Sequence, residues 1–348
     1  MKLTPSMTPL KKILIIVALL VVIVASAFFI FLNIGGQASN SNSFPRIDSA
    51  KSFSVVVLPD TQNYSAEYPE IFCGQTQWIV DHKKELNIVF VSHMGDLVNN
   101  GGEKPEQWET AVRCMGKLDN VVPYSVIPGN HDLDTPHKKA SGFSVYDKYF
   151  PATKFSDNIW YSGNFQNNRN NFEIINAGGI PLLFLNLEIE PSDKALDWAK
   201  GVVAKHPDAY TILTTHKFLP VYLHVRDTAL GFSTDGNTGD QIWNKLIFDN
   251  CSIAMTWSGH YHGENRISSK DSCGKDVNQV LQDYQDRPNG GEGWLRVYVF
   301  SPEKKNIQVY TYSPFLGKME TDRDSRFTLP FVLPSALFAP TAGSGLKL

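Results

Sequence analysis

Five short apolar runs, each ending in a polar turn, set the rhythm of this chain. They are 55–58 before Pro59-Asp60-Thr61-Gln62, 88–91 before Gly95-Asp96, 124–127 before Gly129-Asn130-His131-Asp132, 210–215 before His216, and 253–256 before Gly259-His260-Tyr261-His262. Runs of this length bounded by turn residues predict buried strands. Between the first three lie helix-like stretches, 70–86 with Trp78, Ile79 and His82 on one side, and 105–117 with Pro105 in its first turn, where a missing N–H costs little. A β-α-β-α-β alternation predicts parallel strands with right-handed crossovers. Ligands of such sheets collect beyond the carboxyl ends of the strands, where all five turns fall.

The middle of the chain breaks this rhythm. Residues 141–171 form an aromatic, Asn-rich insertion whose rings, among them Tyr146, Tyr149, Phe150, Trp160, Tyr161 and Phe165, are expected to pack inward. Paired strands follow at 172–175 and 181–187 around Gly178-Gly179, then a helix at 193–205. The loop 217–240, holding Tyr222, His224, Arg226 and Asp235, is placed to bind substrate or form a lid. A carboxyl-terminal hairpin over 294–312 suggests a second sheet.

The amino terminus has a different character. Ile13 to Leu32 is nearly unbroken apolar sequence behind Lys2, Lys11 and Lys12, long enough to cross a bilayer as a helix with its amino end in the cytoplasm. Ala25-Ser26-Ala27 resembles a signal-peptide cleavage site, but the apolar run continues past it. The expected organisation is a cytoplasmic stub and transmembrane anchor over 1–34, a flexible linker over 35–51, one catalytic domain over 52–333 and a tail over 334–348. The expected location is the cell membrane, single-pass, with the catalytic domain outside the cytoplasm, and secretion after cleavage as second choice. Four cysteines suit export, and Cys73 with Cys114 and Cys251 with Cys273 are the expected pairs. The 42% hydrophobic content supports a large core, and a net charge of −3 gives no reason to expect a nucleic-acid partner.

Carboxylate, amide and imidazole groups gathered at strand ends suit two divalent ions a few ångströms apart, which clamp a phosphoryl group and activate water. Asp96 is the expected bridge, Asp60, Gln62 and His262 the ligands of the first ion, and Asn130, His216 and His260 those of the second. The mixture favours Mn, Fe or Zn over Ca or Mg. His131, beside Asn130, is the expected general acid, with Asn99 or Asp132 orienting its other nitrogen.

These five blocks, in this order, resemble the signature of the calcineurin-like metallophosphoesterases over about residues 53–313. The resemblance implies an α/β architecture, a two-layer mixed β-sandwich flanked by helices. It also implies a dinuclear centre and hydrolysis of phosphate monoesters or diesters by a metal-bound hydroxide. Asn289 to Arg296 and Phe327 to Pro330 look like an exported branch that begins Pro-Asp-Thr-Gln. The chain departs from the family at Gln62, where His is common, and at Asn99, where purple acid phosphatases carry Tyr and protein phosphatases Asp. An iron–tyrosinate centre and protein phosphatase activity are therefore not expected. The rival readings are a catalytically silent binding or scaffold protein on the same fold, and an anchored adhesin. The sequons at Asn63 and Asn250 are read as coincidences, because a glycan at Asn63 would crowd the site.

Overall fold

The computed structural model describes residues 44–334 and Leu337. The apolar run Ile13–Leu32, the stub before it and most of the linker and tail lie outside the described residues. Among the described residues no helix is long and apolar enough to cross a membrane.

Strand β1 (Phe53–Leu58) shows how the layers arise. All six of its residues are buried, and side chains alternate between faces along a strand. Val55 and Val57 turn into a core shared by two sheets, while Val56 and Leu58 turn outward onto helices Pro69–His82 and Pro105–Met115. β1 is flanked by parallel β2 (Ile88–His93), which in turn pairs with the short parallel β3 (Tyr124–Ser125).

The second sheet comes from the middle of the chain. It runs in the order β4 (Tyr161–Phe165), β5 (Asn170–Ala177), β6 (Ile180–Leu187), β7 (Tyr210–Thr215), β8 (Ile253–Ser258), β10 (Asp276–Asp283) and β9 (Gly263–Lys270). β6, β7, β8 and β10 are parallel. Their outer face packs on helix Asp193–Lys205, which begins where predicted because the Ser192 hydroxyl accepts from Ala195 N–H. The inner faces meet at Phe90 and Phe184, whose rings stack with centroids 3.8 Å apart. The result is a mixed α/β sandwich of two seven-stranded sheets with helices outside.

Two expectations are corrected, and one strand was not foreseen. The hairpin β11 (Leu295–Ser301) and β12 (Asn306–Ser313) does not start the second sheet. β11 instead pairs antiparallel with the edge of β1 that β2 leaves open, while β13 (Lys318–Glu320) and β14 (Arg326–Pro330) extend from β12. The helix expected over 70–86 ends at His82, whose Nδ1 lies 2.8 Å from Trp78 O. β9, an edge strand of mostly polar residues, carries no apolar alternation to announce it. Both expected cysteine pairs are formed, Cys73–Cys114 and Cys251–Cys273.

Candidate metal centre

Parallel strands set side by side bring their carboxyl-terminal turns together, and here the turns come from both sheets. The turns after β1, β2 and β3 meet those after β7 and β8. Main-chain bonds tie them: Thr61 N–H to Asp96 O at 3.0 Å, Met94 N–H to Leu58 O at 3.3 Å, and Gly259 N–H to His216 O at 3.0 Å. The hydroxyls of Ser92 and Thr214, 3.1 Å apart, pin the sheets to each other just below.

Asp60, Asp96 and His216 are all buried and offer ligand atoms within 4.8 Å of one another. Asp96 is the hub. Its Oδ1 accepts from His131 N–H at 2.9 Å, and its Oδ2 lies 3.3 Å from both Gln62 Nε2 and His216 Nε2. It adopts φ +51°, a conformation that costs a non-glycine residue free energy and gathers at functional sites. Burial alone would raise its pKa, but the His216 charge and hydrogen bond, followed by His131, hold it well below the usual carboxylate range. Asp60 is pushed well above that range by burial and then by the facing charge of Asp283. Its Oδ2 accepts from His260 N–H at 2.9 Å, and its Oδ1 has no partner.

Two glycines make this crowding possible. A Cβ on Gly129 would sit 2.2 Å from Asp96 Oδ1, and one on Gly259 would sit 2.1 Å from Asp60 Oδ1. Only backbone without a side chain lets the carboxylates come so close.

His216 shows what the site lacks in protein atoms. Its Nδ1 donates to Met94 O at 2.9 Å, so Nε2 is the free end. That end lies 3.0 Å from Asn130 Oδ1 and 3.3 Å from Asp96 Oδ2, both acceptors. Only a proton or a cation satisfies three such atoms. Although burial favours the neutral ring, the charges of Asp96 and Asp60 raise this histidine to about 10. A bound cation would displace that proton. His260, held down to about 3 by burial and then by His216, keeps a lone pair available for an ion, with its ring centroid 5.2 Å from that of His216. Gln62 Oε1 is buried without a partner. The donor set therefore fits divalent cations.

The remaining predicted residues are placed as follows. His131 Nδ1 donates to the main-chain carbonyl of Asn99 at 2.8 Å, which leaves Nε2 as the free end of the ring. Asn99 therefore orients the ring through its backbone rather than its side chain. Asp132 does not reach His131. Its carboxylate accepts from Leu97, Val98 and Gly129 N–H groups at 3.1, 3.0 and 2.8 Å, and burial followed by the Asp96 charge raises it to about 7. It shapes the loops instead. His262 stands at the rim, with Nδ1 2.6 Å from Asp286 Oδ2 and Nε2 against the amide of Gln285. A carboxylate behind Nδ1 fixes the tautomer whose Nε2 can bind an ion.

Several residues escaped the sequence reading. His137 sets its ring at 4.4 Å from His131, edge to face, and touches Asn130 Nδ2 at 3.1 Å. Phe232 bridges His137 and His260, with centroids 5.7 and 5.3 Å away. It is held by Glu190, whose carboxylate accepts from Gly231, Phe232 and Ser233 N–H groups and from the Ser233 hydroxyl, while Lys217 lies 3.3 Å away. Beside Phe232 a groove of 640 Å³ opens between Lys138, Phe143, Arg169, Glu188 and Asp235. Glu190 was legible in principle, since it follows an apolar strand run as the predicted ligands do.

The family pattern described as calcineurin-like phosphoesterase matches residues 53–289. The chain belongs to that family. An uncharacterised protein of Bacillus subtilis, YvnB, is 35% identical over 274 residues, which is 76% of this chain and 20% of the relative. The chain thus spans about a fifth of the length of the curated relative it matches. Among solved structures it is similar to a dimetal phosphatase from Danio rerio, at 11% identity over 80% of this chain and 99% of that one, with a TM-score of 0.49. It is also similar to GAP50, the anchor in the inner membrane complex of Plasmodium, at 10% identity over 79% and 89% of the two chains, with a TM-score of 0.46.

Proposed function

We propose that this phosphoesterase is a two-metal hydrolase of phosphate monoesters or diesters. Asp60, Gln62, Asp96 and His262 would hold one divalent transition ion, and Asp96, Asn130, His216 and His260 the other. The observation that carries this reading is the free Nε2 of His216, which faces Asn130 Oδ1 and Asp96 Oδ2 beside the unpartnered Asp60 Oδ1. Mn, Fe or Zn ions bound there would act as Lewis acids on the phosphoryl oxygens and lower the pKa of water.

The chain's own residues do the rest. Asp96, kept ionised, is available to both ion sites. Asn99 O holds His131 Nδ1–H, so His131 Nε2 is the end that can give a proton to the departing alkoxide. The groove beyond Phe232 offers room for the rest of the ester. The apolar run Ile13–Leu32 behind three lysines supports a membrane tether, and the two disulfides suit a catalytic part outside the cytoplasm, in the exported branch that begins Pro-Asp-Thr-Gln.

The test uses the full chain in detergent, stripped of metal and resupplied with Mn, Fe, Zn or Mg, against bis-p-nitrophenyl phosphate and p-nitrophenyl phosphate. A transition metal should restore hydrolysis. His131→Ala should keep metal and lose about 10²–10⁴-fold in kcat, and the ratio of the two rates separates diester from monoester preference. A metal-loaded, folded protein that cleaves neither compound would favour the silent scaffold. Resistance of the intact protein to carbonate extraction, with cleavage of its catalytic part by protease added outside cells, tests the tether.

A further inference from the structure

One buried carboxylate at this end of the sandwich makes only a single hydrogen bond. Asp283, the last residue of β10, is 1% exposed. Its Oδ1 accepts from Gln285 N–H at 3.0 Å, and its Oδ2 has no partner. Two other acids buried at this end are saturated. Asp132 takes three main-chain N–H groups, and Glu190 takes three plus a hydroxyl and Lys217. A carboxylate taken out of water with a single donor is costly unless a cation completes it.

The position of Asp283 shows where that cation would sit. Gln282 donates to Val57 O at 3.4 Å and Asn63 Nδ2 to Gln285 O at 3.2 Å, so the end of β10 is clipped to the turn carrying Asp60 and Gln62. On its other side Asp283 pairs in register with Gly263, next to His262. Four buried oxygens without partners belong to these two clipped segments: Asp60 Oδ1, Gln62 Oε1, Asp283 Oδ2 and Gln285 Oε1.

Resting on the two-metal reading, we propose that Asp283 is a further protein ligand of the first ion, a second carboxylate beside Asp60 where Gln62 supplies only a neutral amide. A carboxylate binds a divalent ion more strongly than an amide does, so the acid offsets the loss of the usual imidazole at position 62.

The experiment titrates the metal-free full chain with Mn²⁺, reading stoichiometry and affinity by calorimetry and by metal analysis after desalting. Wild type should take two ions. Asp283→Asn should bind one as wild type does and the other about 10–100-fold more weakly, and Asp283→Glu should recover part of the loss. The metal-free Asp283→Asn protein should melt no lower than metal-free wild type, because a buried acid with a single donor is gone, whereas a purely structural role would lower it. The proposal is overturned if Asp283→Asn binds both ions within about twofold of wild type, or if its metal-free form fails to fold or melts clearly lower. A wild type that takes up no metal would instead overturn the two-metal reading itself.

Discussion

Replacing Gly129 by alanine adds one methyl group at the tightest point of the centre. The residue does not have positive φ, so alanine meets no backbone penalty there and the effect isolates the added Cβ. That atom would lie 2.2 Å from Asp96 Oδ1, whereas ordinary contact begins at 3.4 Å, so the carboxylate must retreat by 3.4 − 2.2 = 1.2 Å. It has little freedom to do so, since His131 N–H holds Oδ1 at 2.9 Å and Asp96 N is itself 2.6 Å from the new atom. A misplacement of about 1 Å in a reacting constellation costs on the order of 10²-fold, or about 2.7 kcal/mol in transition-state stabilisation. We expect kcat/KM of the metal-saturated protein to fall about 100-fold and both ions to bind more weakly, with overpacking costing roughly 1–3 kcal/mol in stability. Steady-state hydrolysis, calorimetric metal titration and thermal melting measure these separately. A folded Gly129→Ala protein whose kcat/KM and metal affinity stay within about threefold of wild type would refute the reasoning.

Glu173 on β5 is buried with one carboxylate oxygen on Asn186 Nδ2 at 2.7 Å and the other unpartnered, and burial raises its pKa well above the ordinary 4.5. Above pH 4.5 the unfolded chain releases this proton while the folded one keeps it, so the group's stabilisation is lost as pH rises toward the folded value. Glu173→Gln should therefore be more stable than wild type by about 1–2 kcal/mol at pH 8 and little different near pH 4.5, as read by urea unfolding of the metal-free proteins; an equal difference at both would sink the idea. Removing Cys73–Cys114, which spans 41 residues, should cost about 4 kcal/mol by loop entropy, and removing Cys251–Cys273, which spans 22, about 3. Denaturant midpoints of Cys→Ala pairs check the values and their order. Glu190→Ala removes the acceptor that gathers residues 231–233, and cleavage of that loop by a dilute protease should accelerate about tenfold or more; an unchanged rate would show that other contacts hold Phe232.

The sequence was most informative where chemistry and periodicity coincide. An apolar run of four to six residues is expected to be buried, and a polar turn at its end that holds Asp, Asn or His is a candidate binding site, so Asp60, Asp96, Asn130, His216 and His260 could be named as candidates one turn at a time. The helix from Asp193 was read as well, and the folded chain caps it with the Ser192 hydroxyl. What periodicity cannot carry is which strand lies beside which. Only the folded chain sends β11 to the open edge of β1 and makes the second sheet from the middle of the sequence, because pairing is decided by which edges remain free. The same tertiary choice pairs Asp283 with Gly263 beside His262, sets Glu190 under residues 231–233, turns Asp132 toward three backbone N–H groups, and makes the Asn99 carbonyl the group that holds the imidazole. Residue type fixes what a side chain can bind. The neighbours that folding supplies decide whether that capacity is spent on the scaffold or left free for a ligand.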